Sequence, residues 1–250
     1  MKEYGNRARK PWRYAARLVQ PTVADCERVQ AAWNLLIARA GGGECWEDAG
    51  LTWSWQAHDR QLMLNFPRTI DAAAIRRGVD AGRDRAARII GAWLAADIDA
   101  APLQAAGFER GWEPCWMATE LTAMAACTDD RVSLTADVPE YGPDGQRLLT
   151  LARGRDATTW HAVARVGGVF AGRAWSFATG PHAGVYDMDV WPAFRPRGLG
   201  RALLRAVCSA AHTAGAQFAT LNATPEGEPL YAKEGFARLG KGITYWHPLG

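Results

Sequence analysis

No apolar run in this sequence approaches the roughly eighteen residues needed to span a bilayer, so no transmembrane segment is expected. The first residues, Met1-Lys2-Glu3-Tyr4-Gly5-Asn6-Arg7, lack the apolar core of a secretory signal, which points to a cytoplasmic protein. Paired cysteines are missing too. Cys26, Cys45, Cys115, Cys127 and Cys208 are odd in number, scattered and never spaced as metal ligands, so neither a disulfide framework nor a metal site is expected. His161, His182, His212 and His247 have no partners at metal-ligand or triad spacing, and only His182, just ahead of a β-like run, suggests a role. A strong excess of one charge is absent as well, the formal net charge being +3. Residues 1–20 hold six basic side chains and one acid, leaving the remainder at about −2, so the body is not a nucleic-acid surface.

What is present fits a folded globular chain: 250 residues, 48% hydrophobic and 22% charged. The basic arm carries Arg7, Arg9, Lys10, Arg13 and Arg17 with Trp12 and Tyr14, and would suit a solvated tail, an arm packed on its own fold, or a contact with RNA, an acidic carrier protein or another subunit. Twelve tryptophans are many for this length. Most of those on patterned segments, Trp53, Trp55, Trp93, Trp112, Trp116, Trp160, Trp175 and Trp246, should be core, and some could form an aromatic wall for an amine or an apolar acceptor near the junction of the halves.

The hydrophobic spacing predicts a helix over 26–40 ended by Gly41-Gly42-Gly43, a hairpin at Leu51–Ala57 and Gln61–Asn65, helices at Asp71–Val79 and Arg83–Asp97, and a β-like stretch at Cys115–Thr122. The second half predicts strands near Val132–Leu134, Thr159–Val166, Val169–Thr179 and Ala183–Val190, and a helix at Leu199–Gly215. A strand at Phe218–Asn222, a short helix at Glu226–Glu234 and a last strand near Ile243–His247 complete it. Pro102-Leu103-Gln104-Ala105-Ala106-Gly107-Phe108 echoes Pro229-Leu230-Tyr231-Ala232-Lys233-Glu234-Gly235-Phe236 at an offset of about 128 residues, which reads as an internal duplication with its boundary near 123–130.

The richest stretch runs from Asp187 to Phe236. A β-like run ends at Asp187-Met188-Asp189-Val190, a turn follows, and Arg195-Pro196-Arg197-Gly198-Leu199-Gly200 opens an amphipathic helix. Glycines beside a helix start let a ligand approach the backbone, and the unpaired N–H groups there, with the positive end of the helix dipole, suit a pyrophosphate. Arg195 and Arg197 could add guanidinium contacts. The first half lacks this string and has no tyrosine in the stretch matching Leu230-Tyr231.

Over residues 130–250 these motifs resemble those of the GNAT superfamily of acyl-CoA N-acyltransferases: Val190-Trp191-Pro192, then Arg195-Pro196-Arg197-Gly198-Leu199-Gly200, then Asn222 and the segment from Tyr231 to Gly235-Phe236. The resemblance implies an α/β (α+β) fold with two tandem GNAT-like domains, each a mixed, largely antiparallel twisted sheet flanked by helices. They would follow the arm at 1–20 as a degenerate domain at 21–125 and a catalytic one at 130–250. It implies acetyl-CoA or another acyl-CoA as donor, its pyrophosphate on the amides of Arg197, Gly198, Leu199, Gly200, Arg201 and Ala202 with Arg195 nearby. The pantetheine would lie along Met188 to Val190, where the family's strands splay, with Asn222 lining its channel. The Val190 N–H would meet the thioester carbonyl, and Tyr231 would protonate the departing thiolate.

For the base, alternation puts Asp187 and Asp189 on one strand face and Tyr186 and Met188 on the other, so either carboxylate could take the proton, with Asp187 nearer the expected acceptor. Attack by an already neutral amine is the other route. The reaction expected is transfer of an acetyl or other short acyl group to a small-molecule amine in a ternary complex. Two alternatives stand beside it: a donor thioester on a carrier protein, and a non-catalytic acyl-CoA-binding module.

Overall fold

The computed structural model describes residues 20–142, 145–146, 149–150 and 158–250. The chain opens with α1 (Val23–Ala40), started by a reciprocal cap: Asp25 N donates to Thr22 Oγ1 (3.2 Å) while Thr22 N donates to Asp25 Oδ2 (2.8 Å). Next come β1 (Glu44–Asp48), β2 (Leu51–Gln56), β3 (Gln61–Asn65), α2 (Ala72–Asp84), β4 (Ile89–Ala95), α3 (Ala101–Ala105), β5 (Glu109–Arg110) and β6 (Cys115–Glu120). The second half contains β7 (Val132–Leu134), β8 (Thr159–Val166), β9 (Val169–Thr179), β10 (His182–Val190), α4 (Leu199–Thr213), β11 (Phe218–Ala223), α5 (Glu228–Lys233) and β12 (Ala237–Pro248).

The strands form one twelve-stranded sheet in the order β1-β2-β3-β4-β12-β6-β11-β10-β9-β8-β7, with β5 also on β12. It is mixed and largely antiparallel; only β3 with β4 and β10 with β11 run parallel, each pair joined through a helix, α2 or α4. The last strand of each half lies in the other half's territory. β6 pairs with β11, and the end of β12 pairs with β4 from Gly242↔Ala95 to Pro248↔Ile89. The cores record this exchange: Ile243 and Tyr245 pack with Leu62, Ile75 and Ile90, whereas Met117 and Leu121 pack with Leu203, Val207 and Leu221. A third cluster puts Val29 and Trp33 of α1 against Trp175 and Tyr186, so the first helix covers a strand of the second half.

The internal echo is structural as well. Phe108 N donates to Leu103 O (3.1 Å) after α3, and Phe236 N donates to Tyr231 O (3.0 Å) after α5, each beside a glycine at positive φ, Gly107 (88°) and Gly235 (89°). Leu103 therefore occupies, in the first half, the position that Tyr231 occupies in the second.

Two sequence expectations need correction. The stretch Arg83–Asp97 is not a helix: α2 ends at Asp84, and Ile89–Ala95 is a strand held between β3 and β12. All seven residues of that strand are apolar or glycine and none is exposed, and a short apolar run sealed on both sides has no period to separate strand from helix. Gly91 is needed there, because a Cβ would fall 2.6 Å from Trp246 Cζ3. The edge strand β1 also escaped notice, its Glu44, Glu47 and Asp48 being poor strand formers tolerated where one side is open.

Candidate functional site

The site grows from the parting of β10 and β11. Their parallel ladder comprises only His182↔Phe218, Ala183↔Ala219 and Gly184↔Thr220; beyond it β10 continues alone to Val190. A β-bulge follows at once: opposite β9, the register jumps between Tyr186↔Trp175 and Asp189↔Arg173, and Asp187 takes φ 45°. Aspartate tolerates that left-handed conformation better than most residues, and bulges re-aim side chains beside sites. The alternation expected for this run is thus broken, and Asp187 and Asp189 are not related by simple strand geometry. Gly184 is required for the local path, since a Cβ would fall 2.1 Å from the Tyr186 hydroxyl oxygen.

At the open end of β10, α4 starts at Gly198, whose φ of 78° is left-handed and which supplies no side-chain cap. The first-turn amides of α4 are therefore uncovered by any side chain of the described residues, at the positive end of the helix dipole. The loop before them is braced from outside: Arg131, paired in two bonds with Asp129, also donates to Arg197 O (3.1 Å). At Gly200 a Cβ would sit 3.2 Å from Leu230 Cδ2, so this glycine lets α4 and α5 approach.

A cavity of about 1290 Å³ runs from this seat into the space between the halves. Its walls include Asp187, Met188, Asp189, Val190, Arg195, Arg197, Gly198, Leu199, Gly200, Arg201, Asn222 and Tyr231, so all the sequence-selected residues but Ala202 line one space. Ala202 is buried within the first turn of α4, its N–H bonded to Gly198 O (3.1 Å). The arginines differ in freedom. Arg195 donates to Asp189 Oδ1 (2.6 Å) and to Val190 O, and Arg201 pairs with the buried Glu234 (2.8 Å). Arg197 lies over the Phe194 ring and has no acidic partner among the described residues.

The two carboxylates also differ. Asp189 is neutralised by Arg195. Asp187 opens onto the cavity yet is surrounded by protein, and this loss of hydration pushes its pKa above the usual carboxylate range; Arg173 pulls it back and Asp59 adds to the rise. Burial, with a smaller contribution from Cys208, pushes the Tyr231 hydroxyl up to about 12, so it remains a donor throughout the neutral range.

Asn222 is the end of a chain of amides that crosses the molecule. Its Nδ2 donates to Gln30 Oε1 (2.8 Å), Gln30 to Asn34 (2.9 Å), Asn34 to Asn65 (2.8 Å), and Asn65 to Ser54 Oγ (3.0 Å). Gln30 and Asn34 belong to α1 and also line the cavity. The first half adds Gln56, Asp59, Gln61, Met63, Trp93 and Trp112, none of which the motifs single out. The expectation of an aromatic wall at the junction was the only pointer toward them. His182 lies outside the lining, stacked on Phe218, and the basic arm falls outside the described residues apart from Gln20. No helix among the described residues is long and apolar enough to cross a membrane.

The fold is that of a mixed α/β protein, and its parted parallel strand pair beside an uncapped helix start leaves backbone groups of the kind a phosphate-bearing, extended ligand can meet. Residues 152–244 match the acetyltransferase (GNAT) domain family. A GCN5-related N-acetyltransferase from Kribbella flavida is similar over 90% of this chain and 96% of its own, at 16% identity and TM-score 0.63. A tandem GNAT protein from the clavulanic acid biosynthesis pathway aligns over 91% and 96%, at 15% identity and TM-score 0.56. A GCN5-related N-acetyltransferase from Sphaerobacter thermophilus aligns over 91% and 94%, at 14% identity and TM-score 0.52. Comparison with curated proteins gave no match. The matched segment lies in the second half, and the whole chain has the fold of these GNAT acetyltransferases, the tandem one among them.

Proposed function

We propose that the protein is a cytoplasmic N-acyltransferase that moves an acetyl or other short acyl group from acyl-CoA to the amine of a small molecule, using one active site in the second half. The observation carrying this reading is the single cavity joining the bare start of α4 to Asp187 and Tyr231. In it, the α4 amides and Arg197 bind the coenzyme pyrophosphate. The pantetheine lies along the unpaired edge of residues 188–190, opposite Asn222. The Val190 N–H serves as donor to the thioester oxygen as negative charge builds there.

Asp187 takes a proton from the incoming ammonium, directly or through water, because burial makes its carboxylate a stronger base than an ordinary one. The freed nitrogen attacks the thioester carbon, a C–N bond forms and the C–S bond breaks. Tyr231 donates to the departing sulfur. Burial pushes the Tyr231 hydroxyl up to about 12, above an ordinary thiol at about 8.5, so its contribution is a hydrogen bond to the developing thiolate, which takes its proton from water on release. Asp189, held by Arg195, positions the loop between β10 and α4. The first half supplies walls, not a second reaction centre.

Calorimetric titration with acetyl-CoA tests the reading. One-site binding is expected, and no heat of association at high micromolar ligand would overturn it.

A further inference from the structure

The basic residues lining the cavity gather at one end. Of its four basic residues, Arg195, Arg197 and Arg201 flank the start of α4 at the donor end, and Lys233 is the last residue of the neighbouring α5. The far chamber contains no lysine or arginine among its described lining residues. Instead it has Asp187, Asp59 and the indoles of Trp93, Trp112 and Trp246, with neutral amides Gln30, Asn34, Gln56 and Gln61 between them.

Asp59 comes from the exposed turn joining β2 to β3, and has no hydrogen bond or ion pair among the described residues. It is close enough to Asp187 for the two to repel, and Arg173 is the cation that faces Asp187 from within the protein. The indoles are rigidly held: Trp93 meets Trp112 edge-on at 5.7 Å, and Trp246 Nε1 donates to Thr244 Oγ1 (3.1 Å). An unpaired Asp59 carboxylate beside π faces describes a surface complementary to positive charge.

Resting on the acyltransferase reading above, we propose that the acceptor is an amine with a second positive group. One nitrogen is presented to Asp187 and acylated, and the other stays charged at Asp59 against the Trp93, Trp112 and Trp246 wall. Asp59 is then a specificity residue given by the half without a donor seat. The chemistry balances: the attacking ammonium yields one proton to Asp187 and one more on collapse to the amide, the thiolate leaves as the free thiol after taking up a proton, and one proton is released overall. The distal ammonium is unchanged.

Cadaverine, n-pentylamine and δ-aminovalerate share one chain length and differ only at the far end, which makes them the probes. Mass spectrometry of acylated product should give a kcat/KM for cadaverine at least about tenfold above pentylamine, with aminovalerate lowest, because its carboxylate would face Asp59. In D59N the cadaverine-to-pentylamine ratio should fall about tenfold. Tryptophan fluorescence titrated with cadaverine, without donor, gives a second readout independent of turnover, with weaker binding expected in D59N. A preference for aminovalerate, or a ratio and fluorescence response unmoved by D59N, would overturn the proposal. If wild-type protein binds acetyl-CoA and acylates aminovalerate best, this inference alone fails; if it binds no acetyl-CoA, the reading beneath it fails, and the fluorescence titration still decides whether the chamber selects dications.

Discussion

The two strand–helix–strand units of this chain solve the same geometry to opposite ends. In the first, β3 and β4 stay paired along five positions, from Gln61↔Ile89 to Asn65↔Trp93, and Phe66 N extends the ladder to Trp93 O (2.8 Å). The helix between them starts at Asp71, whose carboxylate accepts from Ala74 N (2.7 Å). In the second, β10 and β11 separate after three pairs, and α4 starts at a glycine with no side-chain cap. One unit has closed its strand gap and occupied its helix start with an anion of its own. The other leaves both groups unsatisfied, which is tolerable only where a ligand or water meets them. Leu103 against Tyr231 repeats the contrast at the position proposed to meet the leaving sulfur.

Variants that erase the difference measure what each part of it does. The largest effect is expected from Asp187→Asn, with kcat reduced by about 10²–10⁴ in steady-state assays while acetyl-CoA still binds. Because the Asp187 pKa is raised, the basic form is lost as pH falls through that elevated value, so the acid limb of the wild-type pH profile should stand above the usual carboxylate range. In Asp187→Asn that limb should vanish; its persistence would assign the base elsewhere. Next, Gly198→Asp puts a carboxylate at the α4 start as Asp71 does at α2, and should weaken acetyl-CoA about 100-fold by calorimetry. Unaltered affinity would move the phosphate away from this helix. Tyr231→Leu reproduces the first-half residue and should lower kcat by about tenfold or more with unchanged donor affinity. The smallest effect belongs to Asp71→Ala, which should cost about 1 kcal/mol in denaturant unfolding without altering turnover, since it removes only a helix cap.

The uncapped helix start proposed as the phosphate seat was legible because its determinants are local: two glycines, a helix start and the preceding strand lie within a few turns of chain, and their hydrogen-bonding deficit follows from backbone geometry. Tyr231 was legible by its place before Gly235-Phe236. The bulge at Asp187 was not, because it depends on which residues of β9 lie opposite, and that register is set by the whole sheet. Nor was β4, whose sealed position between β3 and β12 removes the period that would identify it. Asp59, Gln30 and Asn34 belong to a half whose motifs are lost, and nothing in their neighbours marks them; Gln30 reaches Asn222 across 192 positions of sequence.

By itself, then, the sequence determined where a coenzyme could sit, because glycine conformation and helix-end amides are properties of a short segment in any context. The tertiary structure alone decided what faces that seat. Exchange of β6 and β12 between the halves brings the β2–β3 turn, the tryptophans and α1 over the open strand edge, and burial of apolar area from both halves in shared cores holds them there.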